Sequence, residues 1–236
     1  MTYDLWYWSG IPGRGEFVRL ALEAGGIGYR DRAIAAGDRG ISALAADIGR
    51  RRDTPPFAPP YLVADGMTIG QTANILLYLG EKHGLAPADQ AGRLWAHQCQ
   101  LTIADMVTEA HDTHHPIASG AYYEEQKPEA HRRAQDFRTT RMPKFLGHFE
   151  AVLERRGAWL AGDAWSYADL SLFHLIEGLR FAFPRRMAAL APGLPRLAAL
   201  HDAVAGIPGI AAYQASGRRQ PFANGIFRHY PELDGD

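Results

Sequence analysis

Pro59-Pro60-Tyr61-Leu62-Val63-Ala64-Asp65-Gly66-Met67-Thr68-Ile69-Gly70-Gln71-Thr72-Ala73-Asn74-Ile75-Leu76-Leu77-Tyr78-Leu79-Gly80 is the stretch from which the rest of the chain is read. Tyr61-Leu62-Val63 has the composition of a short buried strand, Asp65-Gly66 is a hairpin turn signal, and Met67-Thr68-Ile69 is the returning strand. Pro60 cannot donate to a sheet ladder, so it belongs at the head of the first strand, where a cis bond is a fixed feature of the preceding turn. From Gln71 on, Ile75, Leu76 and Leu79 recur at helical spacing, and Gly80 or Gly84 can end the run. The unpaired N–H groups in the first turn of such a helix form a site for an anion.

Upstream, the aromatic run Tyr3 to Trp8 predicts a first strand, closed by Ser9-Gly10-Ile11-Pro12-Gly13. From Gly15 a helix is expected, with Phe17, Leu20, Ala21 and Ala24 on one face and Gly25-Gly26 as its stop. A second strand over Tyr29 to Ile34 and an irregular helix around Ile41 to Ile48 complete the order strand, helix, strand, helix, strand, strand, helix. The strand-helix-strand opening implies a parallel pair, to which the hairpin adds antiparallel strands.

Downstream of His83-Gly84-Leu85-Ala86-Pro87 strand signals cease, and a domain boundary is expected at 84–88. One long helix is predicted from about Asp89 to His115, ended by Pro116. Another is predicted from about Pro128 to Arg156, with Pro143 bending or splitting it. Ser166-Tyr167-Ala168-Asp169 is a capping-box start in which Asp stands for the usual Glu or Gln. Leu194 to Ala205 and Gly209 to Ser216 give two shorter helices. The tail from Gly217 is irregular, and its aromatic residues Phe222, Phe227 and Tyr230 are expected to pack on the surface.

Composition excludes several function classes. The 236 residues are 47% hydrophobic and 22% charged, with a net charge of −1. Arg50-Arg51-Arg52 is too short a basic run to make nucleic acid or an anionic membrane the expected partner. The single cysteine, Cys99, allows no internal disulfide and fits a reducing compartment. Met1-Thr2-Tyr3-Asp4-Leu5 lacks the features of a secretory signal, so a cytoplasmic location is expected.

The proline-headed strand, hairpin and Gln71-Thr72 helix start resemble the glutathione-binding half of the cytosolic glutathione transferases. Tyr7-Trp8, a short loop, Gly13-Arg14 and an apolar helix resemble the opening of their tyrosine-type classes (alpha, mu, pi, sigma), here of an expected bacterial type. The resemblance covers roughly residues 3 to 216. It implies an α/β thioredoxin-like N-terminal domain over 1–83, a linker over 84–88, and an all-helical domain over 89–236 that ends in the irregular tail.

It further implies an enzyme, a homodimer, that joins glutathione as co-substrate to a small hydrophobic electrophile. Tyr7 and Arg14 would be catalytic, and Trp8, Pro59, Pro60, Gln71, Thr72 and Asp105 would bind glutathione, Asp105 from across the dimer. Met106, Glu109, His111, Tyr122 and Tyr123 are candidates for the electrophile pocket. Pro59 departs from the pattern because it has no N–H with which to pair the cysteinyl backbone. Taken alone, the same residues also fit blander roles: Tyr7 as a core aromatic, Thr72 as a helix cap, Asp105 as a surface carboxylate and Cys99 as an apolar filler. His111, His114 and His115 share a helix face, yet no second ligand group accompanies them, and no metal is expected. A glutathione-dependent isomerase or peroxidase of this fold, or a non-catalytic glutathione-binding protein, remains an alternative.

Overall fold

The computed structural model describes residues 2–235. In chain order its elements are β1 (Tyr3–Trp6), α1 (Gly13–Ala24), β2 (Tyr29–Asp31), α2 (Arg32–Ala35), α3 (Gly40–Ile48), β3 (Tyr61–Ala64), β4 (Met67–Gly70) and α4 (Thr72–His83). Helices alone follow: α5 (Gln90–Asp112), α6 (Lys127–Asp136), α7 (Met142–Arg156), α8 (Tyr167–Ala182), α9 (Pro184–Leu190), α10 (Pro195–Ala205), α11 (Pro208–Ala215) and α12 (Pro231–Asp234). The sheet runs in the order β2-β1-β3-β4. β1 is parallel to β2, with Tyr3 opposite Tyr29, and antiparallel to β3, with Leu5 opposite Leu62. This is a thioredoxin-like N-terminal unit joined to an all-helical C-terminal one.

Side-chain alternation along the strands divides the sheet into two faces. Tyr3, Leu5, Leu62 and Ala64 are buried with Phe17, Leu20 and Ile75 in the main core. Trp6, Tyr61 and Leu44 form a smaller core on the other face, where the Trp6 and Tyr61 rings stack at 6.1 Å. The second strand is shorter than the Tyr29–Ile34 run predicted, because the chain turns into α2 after Asp31. Asp31 is anchored there by the buried Arg19 at 2.7 Å.

Pro143 does split its helix. α6 ends at Asp136, a π-helical segment spans Phe137–Arg141, and α7 restarts with Pro143 in its first turn, where a missing N–H costs nothing. The Ser166 box forms as well: the Asp169 carboxylate accepts from Ser166 N at 2.8 Å, from Ser166 Oγ at 2.7 Å and from Leu160 N at 2.8 Å. α8 behind it is buried along almost its whole length, as expected of a helix apolar all round.

The tail is packed rather than free, and more deeply than a surface contact requires, since Ile226, Phe227 and Leu233 are all 2% exposed. Gly178 on α8 makes this possible, because a Cβ there would lie 2.2 Å from Phe227 Cδ2. Gly178→Ala is therefore expected to push the Phe227 ring out of its slot and cost about 1–3 kcal/mol. Chemical denaturation measures the loss, and a change below about 0.5 kcal/mol would mean that the tail does not depend on this contact.

Candidate active site

The loop after β1 brings the chain back over the end of the sheet, so Tyr7 meets the N-terminus of α1. Tyr7 is 4% exposed, and its hydroxyl oxygen accepts the backbone N–H of Arg14 at 2.9 Å. Gly13 makes room for the ring, since a Cβ at that position would lie 2.1 Å from Tyr7 Oη. With the acceptor side of the oxygen engaged, the phenolic proton is left to donate outward. Burial pushes the Tyr7 hydroxyl above its ordinary range, against the opposing pull of the Arg14 N–H and of the Arg14 and Arg19 charges. Tyr7 is thus a neutral hydrogen-bond donor at physiological pH rather than a base.

Beside it lies a cavity of about 380 Å³ between α4 and α5, lined by Arg14, Gln71, Thr72 and Asn74 together with His97, Gln100 and Ala104. Gln71 precedes α4 with φ +68°, a left-handed conformation that a non-glycine residue rarely adopts and that marks stored strain at a site. No side chain caps α4, so the N–H groups of its first turn remain available. Thr72 Oγ1 is cut off from solvent without a hydrogen-bond partner among the described residues. His97 Nδ1 and Gln100 Oε1 in the same cavity share that condition. A hollow ringed by unsatisfied polar atoms and a helix N-terminus is built for an anionic, hydrogen-bonding guest.

Of the residues singled out from sequence, Arg14, Gln71 and Thr72 line this cavity, with Tyr7 held against Arg14. Trp8 is 38% exposed on the adjoining surface. The Pro59-Pro60 bond is cis, with Pro60 buried at the head of β3. Asp105 is exposed, on the same stripe of α5 as Leu101 and Thr108, and does not line the cavity. His97 and Gln100 also line it, and their only signal in the sequence is that His97, Gln100, Ala104 and Thr108 repeat at three- and four-residue steps.

The candidates for a second substrate pocket are only partly brought together. Tyr122 and Tyr123 line a separate cavity with His115, Asn224, Arg228 and Tyr230. Met106 is instead wholly buried in the helical core. Glu109 is fixed between Arg133 at 3.0 Å and Arg141 at 2.6 Å. Both leave the pocket because they sit on faces of α5 that turn toward α6, α7 and the core. Cys99 is also a core residue, its thiol pushed up to about 12 by burial and by the Asp169 carboxylate.

The three histidines lie together at the C-terminal end of α5, with ring centroids 4.7–5.1 Å apart. Among the described residues no group of three or more His, Cys, Asp or Glu is arranged to hold a metal ion. His114 Nε2 donates to the Ile226 carbonyl at 2.8 Å, so the bare Nδ1 of the neutral ring accepts from His115 Nδ1–H. Burial holds His114 neutral, with its pKa lowered to about 3. His115 is lowered too, by burial and then by the Arg228 charge, which leaves its Nε2 as a free acceptor.

Comparison with known proteins bears on this geometry. Residues 111–217 match the family model described as glutathione S-transferase, C-terminal domain. The chain is 27% identical over 231 residues to glutathione S-transferase Mu 6 of Mus musculus, covering 94% of each. It is 27% identical over 216 residues to the hematopoietic prostaglandin D synthase of Gallus gallus, covering 90% of this chain and 94% of the relative. A Pi-class glutathione S-transferase structure from Onchocerca volvulus superposes with a TM-score of 0.70 at 23% identity, over 91% of this chain and 92% of that one, and at that identity speaks for the fold. No helix among the described residues is long and apolar enough to cross a membrane. Residues 111–217 thus carry a glutathione S-transferase C-terminal domain, and the fold and the whole-length relatives named glutathione S-transferase agree with it.

Proposed function

We propose that this chain is a tyrosine-type glutathione transferase that joins the glutathione sulfur to a small electrophile, with Tyr7 as the group that holds the thiolate. The observation that carries the reading is the Tyr7 hydroxyl, whose oxygen accepts the N–H of Arg14 at 2.9 Å while Arg14 itself lines the cavity. A thiol of pKa roughly 8.5–9 is mostly protonated at neutral pH, whereas only the thiolate attacks. Lowering that pKa by about two units is worth ~2.7 kcal/mol, within reach of a fixed phenolic donor and a guanidinium. The thiol proton leaves to solvent, and the sulfur lone pair forms the new bond to carbon. Where the carbon carries a halide, the carbon–halogen bond breaks and the halide departs with its electron pair.

Glutathione fits the cavity by its charges. The γ-glutamyl carboxylate goes to Thr72 Oγ1 and the first-turn N–H groups of α4, with Gln71 assisting. Pro59 offers only its carbonyl to the cysteinyl backbone, one hydrogen bond fewer than a residue with an N–H would provide. The reading is tested by following conjugation of glutathione to 1-chloro-2,4-dinitrobenzene and to a panel of other electrophiles. No turnover with any of them would overturn it.

The exposed Asp105 acquires a role in a two-fold dimer, reaching the glutathione amino group in the partner's site. Asp105→Ala is then expected to weaken glutathione binding roughly 2- to 13-fold, the equivalent of about 0.5–1.5 kcal/mol, with the fold intact. Light scattering that found an active monomer at micromolar concentration would remove the basis for this role.

A further inference from the structure

The second cavity, of about 430 Å³, lies between the α5–α6 connection and the C-terminal tail. Its wall holds one cation, Arg228, that is joined to no carboxylate among the described residues. Arg228 is half-buried, its Nε is cut off from solvent with no hydrogen-bond partner, and it enters no ion pair among the described residues. Its neighbours in the tail are paired: Arg218 with Glu23 and Arg219 with Glu177 at 3.2 Å. A guanidinium N–H cut off from water without a partner is costly, and an anionic guest reaching the same side chain is what would offset that cost.

The rest of the wall suits such a guest. Ser119, Asn224 and Tyr230 make no side-chain hydrogen bond among the described residues, so their polar groups face the cavity uncommitted. Burial favours the neutral form of both the His114 and His115 rings, so they add no rival positive charge. The stacked Tyr123 and Tyr230 rings, with centroids 3.8 Å apart, offer an apolar surface to the body of a ligand. Glu124, the one carboxylate in the lining, is exposed, so solvent screens its repulsion of an anionic guest. The cavity is also close to the chemistry. The His111 ring stacks 5.1 Å from that of His115, and it feels the charges of both Arg14 and Arg228. Gly225, beside Arg228 in the tail, packs near Ile11 of the loop that follows Tyr7.

We propose that this cavity selects the electrophile, taking monoanionic co-substrates whose single carboxylate pairs with Arg228 while their apolar body lies against Tyr230. The proposal rests on the transferase reading above. In the reaction, the glutathione thiolate adds to the electrophilic carbon remote from the carboxylate and the leaving group departs with its electrons. The carboxylate itself is unchanged.

The experiment compares 4-chloro-3,5-dinitrobenzoate with its methyl ester as co-substrates of the full chain, and the variants Arg228→Gln and Arg228→Lys with the parent. Arg228→Gln is expected to raise KM for the acid about 10- to 100-fold, as loss of a charge-assisted hydrogen bond does, and to change KM for the ester less than about twofold. Arg228→Lys should recover most of the loss. Equal effects on acid and ester, or none on the acid, would overturn the proposal. Calorimetry with the unreactive 4-nitrobenzoate and its methyl ester gives a second, turnover-free measurement. Arg228-dependent binding of the acid without any conjugation would sink the transferase reading and leave the anion site standing. Conjugation of both substrates with no dependence on Arg228 would do the reverse.

Discussion

Tyr7→Phe is expected to lower glutathione conjugation about 10²-fold while glutathione affinity changes little. The ring that fills the slot over Gly13 is kept, so the fold is not at stake, and what disappears is the donor aimed at the sulfur. The pH profile separates this from a packing defect. The Tyr7 hydroxyl is raised above its ordinary pKa, so it remains protonated and donating throughout pH 6 to 9. Parent activity should therefore follow the ionisation of the bound thiol and level off once pH exceeds that lowered value. In the variant the bound thiol returns toward its solution pKa of about 8.5, so the rate should keep climbing with pH through neutrality. Activity equal to the parent's across pH 6 to 8 would show that another group activates the sulfur.

The second large effect concerns stability. Asp169 is 0% exposed and accepts three hydrogen bonds, from Leu160 N, Ser166 N and Ser166 Oγ. Asp169→Ala would leave two buried backbone donors unsatisfied at the start of the most buried helix, and a loss of about 3–5 kcal/mol is expected. In a chain of this size that corresponds to a fall in Tm of roughly 6–20 °C. Asp169→Asn, which keeps an acceptor oxygen, should lose roughly half as much. A loss below about 1 kcal/mol for the alanine variant would mean that water takes over the carboxylate's bonds.

The elements legible in the sequence are those specified by local chemistry. Asp65-Gly66 between two short apolar runs gave the β3–β4 hairpin, and Ser166 with Asp169 gave the start of α8. Pro143 marked where one helix becomes two, though the π-helical bridge over Phe137–Arg141 could not be read, because it depends on how the chain absorbs an extra residue per turn. The end of β2 at Asp31 is not legible in the sequence for a related reason. Arg32-Ala33-Ile34 has no period that distinguishes a strand from a helical turn, and the ion pair of Arg19 with Asp31, 12 residues apart, sets where the strand stops.

What the sequence determined by itself is the succession of strands and helices, the aromatic hydroxyl after the first strand and the polar helix start at Gln71-Thr72, since hydrogen-bonding pattern and side-chain chemistry act over a few residues. Tertiary structure alone decided which distant groups share a wall. His97 and Gln100 become part of a site only when α5 lies along the N-terminus of α4, and Met106 and Glu109 are lost to the second-substrate pocket because helix rotation turns them to the core and to Arg133 and Arg141. Likewise, the tail's Phe227 enters the core only because Gly178, 49 positions earlier, leaves a gap of the right size. Burial and counter-charge belong to the packed molecule, not to neighbours along the chain, which is why Arg228 stands out only once the fold has left it without a carboxylate.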